Sequence, residues 1–156
     1  MEESTLNNRI LGIDYGKKYV GVAMSDPLLV TAQPLCTIER INPRKQRKLL
    51  AELSGICSRH EAGSVVIGLP KNLDGTENIR CEFTYEFAEL LFKRIDIPIY
   101  LWDERLTTKA SDKELEFLGV SGKNRKSYSD EMAAVLILQG YLDSIKNNAG
   151  IEPYLS

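Results

Sequence analysis

Residues 10–16 of this chain read Ile-Leu-Gly-Ile-Asp-Tyr-Gly, an apolar run that ends in a carboxylate and a glycine. The run predicts a central β-strand, in which Asp is uncommon and costly to bury unless a partner compensates its charge. Asp14 is therefore a candidate contact for a cation or a phosphate, and Gly16 would let such a ligand approach the backbone closely. The alternative is that Asp14 only ends the strand and caps the turn to Lys17.

The composition is that of a globular protein. The chain has 156 residues, 43% of them hydrophobic and 27% charged, with a net charge of −2. We expect one domain over residues 1–156, with flexible tails at 1–8 and 148–156. No apolar run approaches the ~18 residues that a membrane helix needs. The polar, acidic N-terminus does not resemble a secretory signal, so we expect a cytoplasmic protein that does not bind a membrane.

With three separated cysteines and one histidine, the chain has few residues that could bind zinc or act as a histidine base. Cys36, Cys57 and Cys81 include no C-x-x-C spacing, and His60 falls at the end of a predicted helix. Both facts argue against a structural zinc site and against a histidine base. Any hydrolytic chemistry is therefore expected to come from carboxylates and metal ions.

Hydrophobic periodicity and turn residues divide the chain into nine predicted elements. The strands fall near residues 9–15, 19–25, 30–38, 64–69 and 97–102, and the helices near 42–60, 76–94, 107–118 and 129–146. Asn42 and Pro43 predict the start of the first helix, as N-cap and first helical residue. The order β-β-β-α-β-α-β-α-α is that of the α/β ribonuclease-H-like fold. We expect a five-stranded mixed sheet, with three antiparallel strands and two parallel βα units, flanked by helices.

That topology would gather acidic residues at one edge of the sheet. The carboxyl ends of the first strand and of the strand ending at Trp102 open on the same edge, where ligands of α/β sheets bind. Asp14 would then face the Asp103-Glu104 pair. Asp130 is expected in the first turn of the last helix, on its inward stripe, although it could serve only as a cap for that helix.

Three carboxylates at one edge would repel one another and resist ionising together. A divalent cation removes that conflict, and oxygen ligands without His or Cys favour Mg²⁺ or Mn²⁺. Two such ions about 3.5–4 Å apart can activate a water and stabilise a leaving oxygen in phosphodiester cleavage. The carboxylate pattern therefore predicts metal-dependent hydrolysis of a phosphodiester.

Four motifs, at residues 13–23, 66–76, 102–108 and 130–138, resemble those of the YqgF family in the same order. The resemblance covers nearly the whole chain and departs from it only in the N-terminal extension, the basic helix and the C-terminal tail. It implies a ribonuclease-H-like, metal-dependent bacterial nuclease that matures the 5′ end of precursor 16S ribosomal RNA. It also implies that Asp14, the Asp103-Glu104 motif and Asp130 carry the catalytic metal site. Within the motif we favour Glu104 over Asp103 as the ligand, because Asp103 faces away if Trp102 and Glu104 point to one side, whereas a different geometry at the strand end would reverse the two.

Several residues near this edge are candidates for nucleic-acid contacts. They are Gly16 and Lys17 in the first turn, Lys71 and Asn72 in the loop 70–75, Arg105, and the basic loop residues Lys123, Arg125 and Lys126. A second basic cluster comprises Arg40, Arg44, Lys45, Arg47 and Lys48. Each cluster either meets phosphates or is a solvated face. Likewise, the loop either holds a strand or is an ordinary βα turn, and Arg105 either binds a phosphate or pairs with Asp103.

The motifs leave competing functions open. Cleavage of four-way DNA junctions uses the same phosphate chemistry as cleavage of RNA, and such resolvases act as symmetric dimers. An actin-like nucleotide-binding protein would need a second lobe, for which the chain has no room. A catalytically silent nucleic-acid-binding module of the same fold is the remaining alternative. The sequence decides neither between RNA and DNA nor between a monomer and a homodimer.

Overall fold

A computed structural model of the chain describes residues 8–106 and 122–156, with the side chains of 106 and 122–129 left out. The strands are β1 (Arg9–Tyr15), β2 (Tyr19–Ser25), β3 (Ala32–Glu39), β4 (Ala62–Leu69) and β5 (Ile99–Asp103). The helices are α1 (Arg47–Arg59), α2 (Ile79–Ile95) and α3 (Gly122–Lys146), with a 3₁₀ turn at Glu104–Leu106. The helix predicted at 107–118 lies outside the described residues. Within the described part, no helix is both long and apolar enough to cross a bilayer.

The five strands form one mixed sheet in the order β3-β2-β1-β4-β5. β1 is central and pairs antiparallel with β2, so that Asp14 lies opposite Gly21. On its other side β1 runs parallel to β4, and β4 runs parallel to β5. The predicted ribonuclease-H-like topology is confirmed. It places the carboxyl ends of β1, β4 and β5 at one edge.

Helices cover both faces of the sheet. Because successive strand residues point to opposite faces, Leu11 and Ile13 pack on one side and Ile10 on the other. The first core lies under α1 and α2 and includes Leu53, Phe87 and Leu91; the second lies under α3 and includes Ala134, Ile137 and Leu138. β1 and β4 are apolar on both faces because each is buried between the two helical layers.

A glycine lets α3 lie directly on the sheet. A Cβ atom built on Gly21 would overlap the backbone carbonyl oxygen of Asp130 in α3. The helix therefore rests against bare backbone at this point. Since Gly21 is the cross-strand partner of Asp14, this contact brings Asp130 to the end of the sheet where Asp14 lies.

The first helix begins later than predicted. α1 begins at Arg47, and Asn42 is not its N-cap. The Asn42 side chain instead accepts a hydrogen bond from the Arg44 amide (3.1 Å), a local turn that competes with helix formation. The Arg40 guanidinium also donates to the carbonyl of Pro43 at 2.7 Å, which holds this segment outside the helix.

The other helix starts also differ from the prediction. α2 begins at Ile79 because Asn78 caps it, accepting a hydrogen bond from the Cys81 amide (3.2 Å). α3 begins at Gly122, seven residues before the predicted start at Ser129. Asp130 therefore lies in the third turn of α3, and the prediction of a first-turn position was wrong. Neither the helix dipole nor capping explains its presence there.

The C-terminal segment, expected to be a flexible tail, docks on β5. The amides of Tyr154 and Leu155 donate to the carbonyl of Ile99 at 2.7 and 3.2 Å, and the Ile99 amide donates to Leu155 at 2.8 Å. The hydroxyl of Tyr154 also hydrogen bonds to Glu89 at 3.0 Å. These bonds cover the open edge of β5, which is a physical reason for the segment to be ordered.

We expect Gly21→Ala to destabilise the fold by about 1–3 kcal/mol, because the added methyl group forces α3 away from β2. The matched control is Gly55→Ala in α1, where the nearest neighbour of the new Cβ is the flexible end of Arg59 at 3.2 Å. The control should be neutral or stabilising by up to about 1 kcal/mol. Urea denaturation measures both values, and equal stability of the two variants would contradict the packing described here.

Candidate active site

Asp14 and Glu104 meet across the edge of the sheet. Asp14 is near the end of β1 and Glu104 directly follows β5, with β4 between them. A Cβ atom on Gly68 of β4 would lie 2.7 Å from the Glu104 Cγ atom, so the Glu104 side chain crosses β4 over this glycine. The two carboxyl groups are joined by a hydrogen bond. A larger residue at position 68 would block this contact.

The environment of this pair opposes ionisation. Burial, followed by the charge of Glu104 and the hydrogen bond to it, raises the pKa of Asp14 to about 8, against a weaker opposing effect from Arg80. Burial also raises the pKa of Glu104, although the hydrogen bond to Asp14 and the charge of Arg80 act in the other direction. Two carboxyl groups so placed share a proton unless a positive charge compensates them.

Asp103 points to a different partner. Its carboxylate forms a salt bridge with the Arg105 guanidinium at 2.6 Å and accepts a hydrogen bond from the Arg105 amide at 3.0 Å. The hydrogen bonds from the Arg105 side chain keep the pKa of Asp103 below its usual range. The adjacent acids Asp103 and Glu104 therefore have different partners: Asp103 pairs with Arg105, and Glu104 hydrogen bonds to Asp14.

Arg105 connects β5 to the loop 70–76. Besides its bond to Asp103, it donates from Nη1 to the carbonyl of Leu73 at 3.3 Å. Two roles were considered for Arg105, pairing with Asp103 and binding a phosphate, and the structure shows the pairing with Asp103. Its role in binding phosphate stays a prediction.

The loop 70–76 is held by its own side chains. Asn72 donates to the hydroxyl of Thr76 at 2.9 Å and accepts from Asn78 at 2.8 Å. Asp74 accepts from the Thr76 amide at 2.9 Å. Asn72 therefore stabilises the loop and the start of α2, whereas Lys71 is half-buried next to the acidic edge. Nucleic-acid binding by either residue stays a prediction.

Asp130 approaches this edge from α3. Its backbone lies against Gly21, opposite Asp14, and its side chain is half-buried. Among the residues that the structure describes, however, no three acidic, histidine or cysteine side chains form a ready-made set of metal ligands. The described site is thus the pair of Asp14 and Glu104, and the backbone of Asp130 approaches the same edge from α3.

The basic residues predicted to bind nucleic acid have different surroundings. The Gly16 amide closes the β1–β2 turn by donating to Tyr19 at 3.0 Å, and Lys17 is exposed at its tip. Lys123, Arg125 and Lys126 belong to the first turns of α3 rather than to a loop, and their side chains lie outside the described part.

Sequence reasoning did not identify Arg80, whose charge acts on both Asp14 and Glu104. Arg80 lies in the first turn of α2, at the same edge of the sheet. Asn78 is the signal that could have located Arg80. A helix that follows β4 and is capped by Asn78 must begin at the edge where the parallel strands have their carboxyl ends, and Arg80 lies in its first turn.

The fold and the carboxyl pair define an α/β protein of the ribonuclease-H-like class. The structure of Thermus thermophilus RuvC in complex with a Holliday junction substrate is similar to it, with a TM-score of 0.63 at 14% identity, covering 93% of this chain and 98% of that chain. A second RuvC structure from the same organism has a TM-score of 0.56 at 12% identity, covering 93% and 99%. At these identities the likeness concerns the fold alone.

The amino-acid sequence identifies the family of the chain, which the likeness of fold alone does not. The model of the family described as "RuvX: Holliday junction resolvase" matches residues 8–144, and the chain belongs to this family. A relative from Agathobacter rectalis, named "Putative pre-16S rRNA nuclease", is 46% identical over 140 residues, which cover 90% of this chain and 98% of the relative. A relative of the same name from Clostridium acetobutylicum is 47% identical over 137 residues, covering 88% and 99%.

We expect Asp14→Asn to stabilise the protein at about pH 8 when divalent cations are removed by a chelator. Because the pKa of Asp14 is raised on folding, the native state binds the extra proton, and the wild type loses stability as pH rises from about 4 to 8. Asn cannot ionise, so the variant should melt about 3 °C or more above the wild type near pH 8. The difference in melting temperature between the variant and the wild type should decrease towards pH 5.

Thermal melts across this pH range, monitored by circular dichroism, measure the effect. The control is Glu52→Gln, an equal change of charge at an exposed position on α1, for which no pH-dependent difference is expected. An Asp14→Asn variant that melts below the wild type at pH 8 would show that ionisation of Asp14 does not strain the fold.

Proposed function

We propose that the protein is a divalent-metal-dependent nuclease that hydrolyses phosphodiester bonds in structured nucleic acid, and that it processes the 5′ end of precursor 16S ribosomal RNA. The hydrogen-bonded pair of Asp14 and Glu104 at the open edge of the sheet is the observation that carries the chemistry. Its relatives' names and its family support the substrate class. On this proposal the protein acts in the bacterial cytoplasm, where ribosomal RNA precursors are made.

The carboxyl pair fits a hard cation. Burial makes two adjacent carboxylates unfavourable, and oxygen donors without His or Cys favour Mg²⁺ or Mn²⁺. Asp14 and Glu104 would hold the metal, with Asp130 as the third ligand contributed by α3, in a site for two ions. Asp103 is the weakest candidate because Arg105 occupies its carboxylate. When bound, the cations supply an activated water and charge stabilisation at the phosphate.

The protein's own residues then bind and orient the substrate. Arg80 places a positive charge beside the carboxyl pair, where a phosphate group would otherwise meet two negative charges. Lys17, exposed at the β1–β2 turn, is positioned to contact a neighbouring phosphate. Arg105 positions the loop 70–76 at the border of the site through its bonds to Asp103 and Leu73.

Cleavage of Holliday junctions is the second candidate function, favoured by the description of the matching family. A symmetric four-way junction requires two active sites related by a twofold axis, and hence a homodimer. Processing of one RNA end requires only a monomer. The mass of the protein in solution with and without junction DNA, measured by light scattering, separates the two candidates.

We expect Mn²⁺ or Mg²⁺ to raise the melting temperature of the wild type. At a hundredfold excess over Kd, binding to the native state adds about 2.7 kcal/mol, which corresponds to roughly 5–11 °C. Asp14→Asn and Glu104→Gln should lose most of this shift, while Glu52→Gln should keep it. Differential scanning calorimetry with and without each cation provides the measurement, and a wild type that does not respond would argue strongly against a metal site.

We also expect the wild type with Mn²⁺ to cleave end-labelled precursor 16S RNA fragments. Loss of a group that acts on the reacting phosphate should lower the rate of Asp14→Asn, Glu104→Gln and Asp130→Asn by about a hundredfold or more. Glu52→Gln should cleave at the wild-type rate. Gel analysis of the products, with four-way junction DNA in parallel, gives the rates; equal cleavage by all five proteins would indicate a contaminant and overturn the assignment.

A further inference from the structure

A cavity of about 690 Å³ lies between the β1–β2 turn, the segment before α1 and the first turns of α2. The residues important to its chemistry are Tyr15, Lys17, Arg40, Arg44, Arg80 and Phe83. Its volume lies within the range of about 300–1,000 Å³ that is typical of small-ligand sites. The cavity is therefore large enough for one nucleotide but too small for a double helix.

The cavity is strongly positive. Four cations and one carboxylate, that of Glu86, line it. Arg40 belongs to the wall, since it donates to the carbonyl of Gly16 at 2.8 Å and lies 4.7 Å from the ring centre of Tyr15. Lys17, Arg44 and Arg80 form no salt bridge with any residue in the described ranges. Three cations are thus available to an anionic ligand.

The cavity also presents an aromatic ring to solvent. Phe83 is 54% exposed, which is unusual for a large apolar side chain on a helix that packs against a core. It lies one turn after Arg80 and therefore on the same face of α2. Tyr15, which also lines the cavity, is held by stacking on Phe87 with ring centres 4.0 Å apart. An aromatic ring open to solvent beside cations is the arrangement with which proteins bind single-stranded nucleic acid.

The cavity adjoins the carboxyl pair. Tyr15 and Gly16, which line it, directly follow Asp14 in the chain. Arg80 lines it too and acts electrostatically on both Asp14 and Glu104. The cavity and the carboxyl pair therefore adjoin the same end of β1, and Arg80 belongs to the surroundings of both.

We propose that this cavity binds an unpaired nucleotide adjacent to the cleaved phosphodiester, with its base on Phe83 and its phosphate among Lys17, Arg44 and Arg80. The inference rests on the proposed nuclease function and specifies its substrate. Because the faces of a paired base are covered by its neighbours in the stack, the site selects a strand that is unpaired at this position.

Binding in the Asp14→Asn background, which separates affinity from cleavage, tests this proposal. Fluorescence anisotropy compares an RNA hairpin that carries a single-stranded 5′ extension with the same hairpin with a blunt end. We expect the extended hairpin to bind about tenfold more tightly.

Adding Phe83→Ala should remove this preference without changing the affinity for the blunt hairpin, since stacking on the ring is lost. Phe83→Tyr should retain the preference, and the control Leu90→Ala, an exposed apolar residue on α2 outside the cavity, should retain it too.

The cations are tested through the dependence of Kd on salt. Arg44→Gln should lower the slope of log K against log salt by about 0.7 for the extended hairpin, the value for one phosphate contact with a single strand. Arg94→Gln, at an exposed position of α2 outside the cavity, should leave it unchanged. An unchanged slope for Arg44→Gln would contradict the proposed phosphate position among Lys17, Arg44 and Arg80 and would overturn the proposal.

The proposal is overturned if Phe83→Ala binds the extended hairpin as tightly as its parent. It is also overturned if free AMP binds in a Phe83-dependent manner while the extension has no effect, because the cavity is then a small-molecule site. A preference that depends on Phe83 in a protein that cleaves no RNA would support the cavity's role while refuting the nuclease. Cleavage without that preference would refute the cavity alone.

Discussion

The hydrogen-bonded contact between the half-buried carboxyl groups of Asp14 and Glu104 is the interaction on which the site depends. It is unfavourable by itself, because desolvation raises the pKa of both groups and the charge of Glu104 raises the pKa of Asp14 further. The fold nevertheless holds the two side chains together from strands that are not adjacent. Such an arrangement is stable in two ways, by retaining a proton or by binding a cation, and the second is the state suited to phosphodiester chemistry.

Two glycines make this contact sterically possible. Gly68 leaves the space over β4 through which Glu104 reaches Asp14, and Gly21 lets α3 rest on the sheet beside Asp14. On the opposite face, the stacked rings of Tyr15 and Phe87 support the positive cavity that adjoins the same edge. The carboxyl pair and the cavity therefore adjoin one strand end, and Arg80 lines the cavity while its charge acts on both carboxyl groups.

The sequence was sufficient for the fold because strand alternation, buried β-branched runs and helical stripes all agree with one topology. Alternation along β5 favoured Glu104 over Asp103 as the residue that faces Asp14, but the sequence did not decide between the two because the geometry at a strand end can reverse them. The helix starts were less predictable, since Asn42 forms a local turn and Gly122 does not prevent helix formation. The cavity with Arg80 and Phe83 depends on how α2 packs beside β1, which hydrophobic periodicity does not encode.

The most direct test of the central claim is a crystal structure of the wild type with Mn²⁺, analysed by anomalous diffraction. We predict an anomalous peak about 2.0–2.2 Å from carboxylate oxygens of both Asp14 and Glu104, replacing the hydrogen bond between them. In crystals of Asp14→Asn grown in the same way, the peak should be absent. An intact Asp14–Glu104 hydrogen bond at saturating Mn²⁺, without a peak between the two side chains, would contradict the account.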